Sequence, residues 1–355
     1  ICVFSRCCNK KISVNNRISI FVSGILHNFV GGKQKNNMRR LIGLLLLIFV
    51  PLATMAQTDY PIHDDFSRAC RITAPIGRGM LGISNAFLKA MPKGMRSDSE
   101  LEINKIKITS TADGEVFGAW VITPRSVDAP RPAILLLHGG GFVFKGAPYH
   151  YDLAKEYARR TGSVVVMVDY RTAHNNPYGT SLNDCLDAWQ WMIAKAQNLG
   201  IDTARTAIVG DSAGGFLAIK TVVASAFRPA KLMLIYPVVD CSMRTESMAK
   251  FCDTPVWNSE LNRKMWEYYL QGAEEKSLLD LDNSELGEMP TTYIETAEFD
   301  CLRDEGNELA RMLESAGVAI THIATKGTMH GFDMAQRSEI TQRQISERCK
   351  WLAEW

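Results

Sequence analysis

A chain of 355 residues, 46% apolar and 22% charged, has the material for one large core and excludes a disordered or fibrous protein. Its formal charge of +2 hides an asymmetry: residues 1–56 hold eight basic residues and no acid, so the remainder sets 32 basic against 38 acidic residues, a net of −6. That balance gives no electrostatic case for nucleic acid or for an anionic membrane surface as partner.

The N-terminus reads as two pieces outside the fold. Met38-Arg39-Arg40, the apolar run Leu41 to Val50, and Pro51 with Thr54-Met55-Ala56 are the basic, apolar and small-residue regions of a secretory signal peptide over 38–56. The run is short for a membrane span, so no stable membrane insertion is expected after its removal; an uncleaved N-terminal anchor is the alternative. Residues 1–37 precede a natural start at Met38 and are expected to be an upstream, non-native extension. Localisation is then secreted or periplasmic. Six cysteines (Cys70, Cys185, Cys241, Cys252, Cys301, Cys349) follow the signal, too dispersed for a disulfide framework; Cys241 and Cys252 are the nearest pair. They form no His/Cys cluster for a metal.

From Gln57 to about residue 100 short apolar runs mix with Gly and Pro, and Asn85 to Met91 has a helical pattern. Leu101 to Ser110 and Glu115 to Thr123 alternate as strands around the turn Thr111-Ala112-Asp113-Gly114, an antiparallel start to a sheet. Ala133 to Leu137 is a continuous apolar run, as expected of a strand covered on both faces. It ends in His138-Gly139-Gly140-Gly141-Phe142. Tyr149 to Arg160 reads as a helix, Ser163 to Tyr170 as a strand, Leu182 to Leu199 as a helix and Thr206 to Val209 as a strand. After Gly210-Asp211-Ser212-Ala213-Gly214-Gly215 come a helix from Phe216 to about Phe227 and the strand Lys231 to Tyr236. Alternation of this kind implies parallel strands with right-handed crossovers.

Residues 241–289 break the rhythm with polar and aromatic residues and one good helix, Ser259 to Leu270. An insertion after a strand's C-terminal end lies over the site face of such a sheet, so 241–289 and the segment 57–100 are expected to form a small cap. Order resumes with the strand Thr291 to Ala297, a helix from Arg303 to Ala316, the strand Ala319 to Ala324 and a helix from about Arg337 to the end. The count is eight strands, in one domain over 57–355.

The segment 207–215 is a strand, a sharp turn and a helix around G-x-S-x-G, the nucleophile elbow. Chance supplies that pattern in roughly one chain in ten of this length, so its partners decide. A serine alcohol needs a base, a carboxylate to orient the base, and donors for the oxyanion. In this arrangement acid and His follow Ser on later strand-end loops, and Asp300 and His330 occupy those places. Glu298, Asp304 and Glu305 are rival acids. His138 precedes Ser212, against that order, and is read as holding the glycine loop. Gly139-Gly140-Gly141 lacks G-x-G-x-x-G and a Lys-Ser/Thr partner, which disfavours a phosphate cradle; three glycines suit backbone donors approaching a substrate oxygen.

Together these motifs resemble the hormone-sensitive-lipase-like family of α/β-hydrolase esterases, over roughly His138 to Phe332: His138-Gly-Gly-Gly-Phe142, Gly210-Asp-Ser-Ala-Gly-Gly215, Asp300-Cys-Leu-Arg-Asp304 and His330-Gly-Phe332. The resemblance implies an α/β-hydrolase fold, a mostly parallel eight-stranded sheet with helices on both faces. It implies a triad of Ser212, Asp300 and His330, oxyanion donors from Gly140, Gly141 and Ala213, Gly139 as the turn, and no cofactor or metal. The implied substrates are small-molecule or glycan-borne esters with short, acetyl-like acyl groups. Two departures stand out: the family's Asp-Tyr-Arg-Leu-Ala-Pro-Glu-His-Pro becomes Asp169-Tyr-Arg-Thr-Ala-His-Asn-Asn-Pro177, and the Pro usual after the acid is Cys301. A serine peptidase of prolyl-oligopeptidase type shares the elbow, but the glycine loop and the lack of a propeller domain speak against it. A non-catalytic binding protein, like the plant gibberellin receptors that resemble this family, lacks the His that His330 supplies here.

Overall fold

Eight strands join edge to edge: β1 (Leu101–Thr109), β2 (Val116–Pro124), β3 (Arg131–Leu137), β4 (Val164–Asp169), β5 (Ile201–Asp211), β6 (Lys231–Ile235), β7 (Thr291–Phe299) and β8 (Ile320–Met329). Their spatial order is β1-β2-β4-β3-β5-β6-β7-β8, antiparallel from β1 through β2 to β4 and parallel in the other pairs. The structure, a computed structural model, describes Tyr60–Trp355; the expected extension over 1–37 and the expected signal peptide over 38–56 lie outside the described residues.

Among the described residues ten helices accompany the sheet: α1 (Arg78–Ala90), α2 (Pro148–Thr161), α3 (Thr180–Ala194), α4 (Ala196–Leu199), α5 (Ala213–Ala224), α6 (Glu246–Lys250), α7 (Ser259–Leu270), α8 (Asn283–Gly287), α9 (Arg303–Ser315) and α10 (Glu339–Ala353). Among the described residues no helix is long and apolar enough to cross a membrane.

The unbroken apolar runs have a direct cause. Successive side chains of a strand point to opposite faces, and both faces are covered. Ile134, Leu136, Val165 and Met167 join a core with Tyr151, Ala154 and Tyr157 of α2 and Ile345 and Leu352 of α10. Leu135, Leu137, Val164, Val166 and Val168 join the opposite core with Trp189 and Met192 of α3, Phe216 and Leu217 of α5, and Leu309 and Leu313 of α9.

Differences from the sequence reading have local causes. The helix expected over 182–199 is broken at Lys195, whose backbone (φ −98°, ψ 8°) leaves the helical region between α3 and α4. Strand β5 starts five residues before Thr206; Asp202, Thr203 and Arg205 are polar and half-buried and Ala204 is exposed, so the stretch carries no apolar signal. Strand β8 runs past Ala324 to Met329, which delivers His330 directly from a strand end. The elbow helix begins at Ala213 rather than Phe216, and 241–289 holds the short helices α6 and α8 besides α7. The Cys241 thiol donates to the Glu275 carbonyl (3.2 Å).

One buried ion cluster ties α10 to the sheet. Arg348 is fully buried and donates to both carboxylate oxygens of Glu295 on β7 (2.9 and 2.7 Å) and both of Asp333 after β8 (3.0 and 2.9 Å). Removing the cation leaves two carboxylates facing each other without solvent, and breaking such a buried set costs about 3–5 kcal/mol. Arg348→Met should lower the unfolding free energy by that amount in a urea titration at pH 7; a loss under about 1 kcal/mol would contradict this assignment.

Candidate active site

The centre is built from three backbone segments in contact. A Cβ on Gly210 would lie 2.2 Å from the Gly214 carbonyl oxygen, and one on Gly214 would lie 2.0 Å from the Leu137 carbonyl oxygen. Any side chain at either position would push β3, β5 and α5 apart. The closure forces Ser212 into φ 52°, ψ −121°, a region L-residues avoid. Its main chain is held on both sides: Ser212 N–H donates to the Ile235 carbonyl (2.9 Å), and its own carbonyl accepts from Gly215 N–H (2.9 Å) and Val238 N–H (3.0 Å).

From this turn the Ser212 hydroxyl meets His330 Nε2 at 2.9 Å, and His330 Nδ1 meets Asp300 Oδ2 at 2.7 Å. A carboxylate only accepts, so Nδ1 carries the proton and Nε2 is free to accept from the hydroxyl. Asp300 is fully buried, and its other oxygen accepts from Leu302 N–H (2.9 Å). The rival acids are engaged elsewhere. Glu298 accepts from Gly327 N–H (2.7 Å), Asp304 from Ser247 N–H (2.7 Å), and Glu305 from Val239 N–H (2.7 Å). Burial pushes the Glu305 carboxyl well above the usual range, and the neighbouring Asp240 and Asp300 carboxylates push the same way.

The glycine loop reaches the same place from β3. Gly140 (φ 123°) and Gly141 (φ 57°) take conformations open to glycine, and Val143 and Phe144 N–H groups fold back onto the Gly140 carbonyl (3.1 and 2.9 Å). Among the described residues the N–H groups of Gly140, Gly141 and Ala213 donate to no protein acceptor. Ala213 opens α5, whose first-turn donors and dipole favour negative charge.

The residue between Gly210 and Ser212 does more than keep the spacing. Asp211 is buried; its Oδ1 accepts from Gly139 N–H (2.9 Å) and its Oδ2 meets His150 Nε2 (3.1 Å). His150 Nδ1 accepts from Ala147 N–H (2.9 Å), so its proton sits on Nε2 and is donated to Asp211. Burial would lift the Asp211 carboxyl, but His150 and His138 beside it and the Gly139 N–H outweigh that and hold it below the ordinary range. One carboxylate thus links elbow and glycine loop. Sequence reasoning passed over both residues; a buried acid beside the Ser, in need of a buried donor, was the available signal.

His138 takes the supporting place. Its ring stacks on Tyr170 (4.3 Å), and Nδ1 lies 2.6 Å from the Gly139 carbonyl, which requires the proton on that nitrogen. Tyr170 O–H donates to the His138 carbonyl (2.8 Å). Also unread in the sequence was the support under His330: Tyr236 lies edge-on to it (4.9 Å) and donates to Asp333 (2.7 Å), a member of the Arg348 cluster. Trp257 lies 6.0 Å from the His330 ring, and an atom of it would sit 2.7 Å from a Cβ on Gly141, with Met265 at 3.2 Å. From the N-terminal segment, Asn85 of α1 donates to the Val143 carbonyl (2.8 Å).

Burial, with His150 nearby, pulls the His138 imidazole from 6.5 down to about 4. The unfolded chain takes up this proton near 6.5 and the folded chain only near 4, so the unfolded state binds more protons in that window. Stability therefore falls as pH falls through it, by roughly 3 kcal/mol in all. Urea midpoints at pH 7 and pH 4.5 should separate more for the wild type than for His138→Asn, which keeps an N–H for the Gly139 carbonyl; equal separations would contradict the buried neutral imidazole.

A family described as alpha/beta hydrolase fold matches residues 134–334. The chain is 33% identical over 244 residues to the ethyl acetate hydrolase of Pseudomonas putida, covering 65% of this chain and 75% of that one. It is 32% identical over 225 residues to carboxylesterase NlhH of Mycobacterium tuberculosis, covering 60% and 70%. The solved structure of a bacterial heroin esterase superposes with a TM-score of 0.73 at 30% identity, over 83% of this chain and 98% of that one. Sheet order, the elbow between β5 and α5, and these likenesses converge: the chain belongs to the α/β-hydrolase-fold family, among the hormone-sensitive-lipase-like esterases.

Proposed function

We propose that this esterase hydrolyses short-acyl, acetyl-like carboxylesters through Ser212, His330 and Asp300 by way of an acyl-enzyme. The observation that carries the reading is the unbroken chain from Ser212 Oγ to His330 Nε2 (2.9 Å) and from His330 Nδ1 to Asp300 (2.7 Å). Ser212 Oγ attacks the ester carbonyl carbon while His330 Nε2 takes its proton, and Asp300 stabilises the imidazolium. The oxyanion is held by the N–H groups of Gly140, Gly141 and Ala213. Collapse expels the alcohol, protonated by His330. Water, activated by the same nitrogen, then attacks the acyl-Ser212 carbonyl; the acid leaves and Ser212 regains its proton.

The surroundings of Gly141 support a small acyl group. Trp257 and Met265 stand against Gly141 in the positions a side chain there would need, and Ser212 is only 5% exposed, which favours small acyl groups. The P. putida relative is by name an ethyl acetate hydrolase, an ester of that size. Export, carried by the signal peptide over residues 38–56, would place the reaction outside the cytoplasm.

Ser212→Ala should lower kcat on p-nitrophenyl acetate by at least about 10^4-fold, and Asp300→Asn by about 10^4-fold, with little change in KM for either. Retention of full activity by Ser212→Ala would refute the mechanism.

A further inference from the structure

Helix α1 turns an apolar face to the solvent. Among residues 79–90 every exposed residue except Lys89 is glycine or apolar. Met80, Ile83 and Phe87 make one stripe at helical spacing, and they are 37%, 48% and 46% exposed. A surface helix ordinarily buries such a stripe and shows its polar face to water. Here the rotation is fixed the other way by the buried Asn85, which donates to the Val143 carbonyl (2.8 Å) and accepts from Lys145 N–H (2.8 Å), with Leu81 fully buried beside it. Turning the stripe inward would pull Asn85 off the segment that follows the glycine loop.

Charge sets the same stretch apart. Residues 66–97 hold six basic residues and no acid, whereas the rest of 57–355 sets 26 basic against 38 acidic residues. Among the described residues Arg68, Arg71, Lys89 and Arg96 are exposed and enter no ion pair, and Lys93 lies within electrostatic reach of Lys89 and Lys105. An apolar stripe beside unneutralised cations fits a partner that is apolar and anionic at once. A second copy would bring the same cations together across a twofold contact. Residues 1–56, with eight basic residues and no acid, are repelled in the same way. A bilayer of anionic phospholipid offers phosphates above acyl chains and needs no groove shaped to the helix. The net charge of the whole body hides this local exception.

We propose that α1 and its flanking bases form a peripheral docking face for an anionic phospholipid surface, with Met80, Ile83 and Phe87 entering the acyl boundary and the bases meeting phosphates. The full-length protein is irradiated with vesicles of phosphatidylcholine carrying a trace of diazirine-tagged phosphatidylcholine, with and without phosphatidylglycerol, and carbene adducts are located by peptide mass spectrometry. Because the readout is local, lipid contact elsewhere in the chain does not mimic it. Adducts should fall on Gly79–Lys89, the peptide trypsin releases after Arg78, and drop at least about tenfold when phosphatidylglycerol is left out. They should drop as far in Ile83→Asp/Phe87→Asp, with far-UV circular dichroism unchanged, since both side chains are largely exposed. A wild-type peptide without adducts, or equal yields in the variant or on the neutral vesicles, would overturn the proposal. A dimer in sedimentation velocity that the same variant dissociates would overturn it in favour of a second copy.

Discussion

Everything at the site depends on the contact of backbone with backbone where Gly214 meets the Leu137 carbonyl and Gly210 meets Gly214. Without side chains at those two points, the end of β3, the end of β5 and the start of α5 share one small volume. Ser212 is forced into a conformation it would not adopt alone, and the sheet hydrogen bonds around Ile235 and Val238 hold it there. The local cost, of order 1–3 kcal/mol, is tolerated because the two cores on either side over-determine the turn. The result is a hydroxyl presented at the sheet edge, at the start of a helix.

Around that turn the structure uses buried charge as a brace. Asp211 holds the glycine loop through Gly139 N–H and is itself held by His150, so one carboxylate ties the elbow to that loop. On the other side Arg348 fixes Asp333, three residues after His330, and Tyr236 connects that cluster to the His330 ring. Such clusters are weak sources of net stability, because desolvation offsets most of the attraction. Their effect here is geometric: each sets the distance between a loop and the serine.

The fold was legible because doubly covered strands must be apolar throughout, and β3, β4 and β6 announce themselves that way. The polar first half of β5 and the far end of β8 did not, since only the covered stretch of a strand carries the signal. At the site, Ser212, Asp300 and His330 could be named from their order after successive strand ends. The buried partners could not. His150 lies in a helix and meets Asp211 across 61 residues of chain, Arg348 meets Glu295 across 53, and only the packed sheet brings them together. Residues 241–289 were legible as an interruption of the strand–helix alternation, but which of their aromatics would stand over Gly141 depended on the path of a segment with little periodicity; Trp257 emerged from three dimensions alone.

The central claim is that Ser212, in its strained turn and paired with His330, is the nucleophile. The direct measurement is mass-spectrometric localisation of a fluorophosphonate adduct on the intact enzyme, compared with His330→Gln. One phosphonylated residue, Ser212, is expected, with labelling slowed by at least about 10^3-fold in the variant. An adduct on another residue, or equal labelling rates in the two proteins, would contradict it.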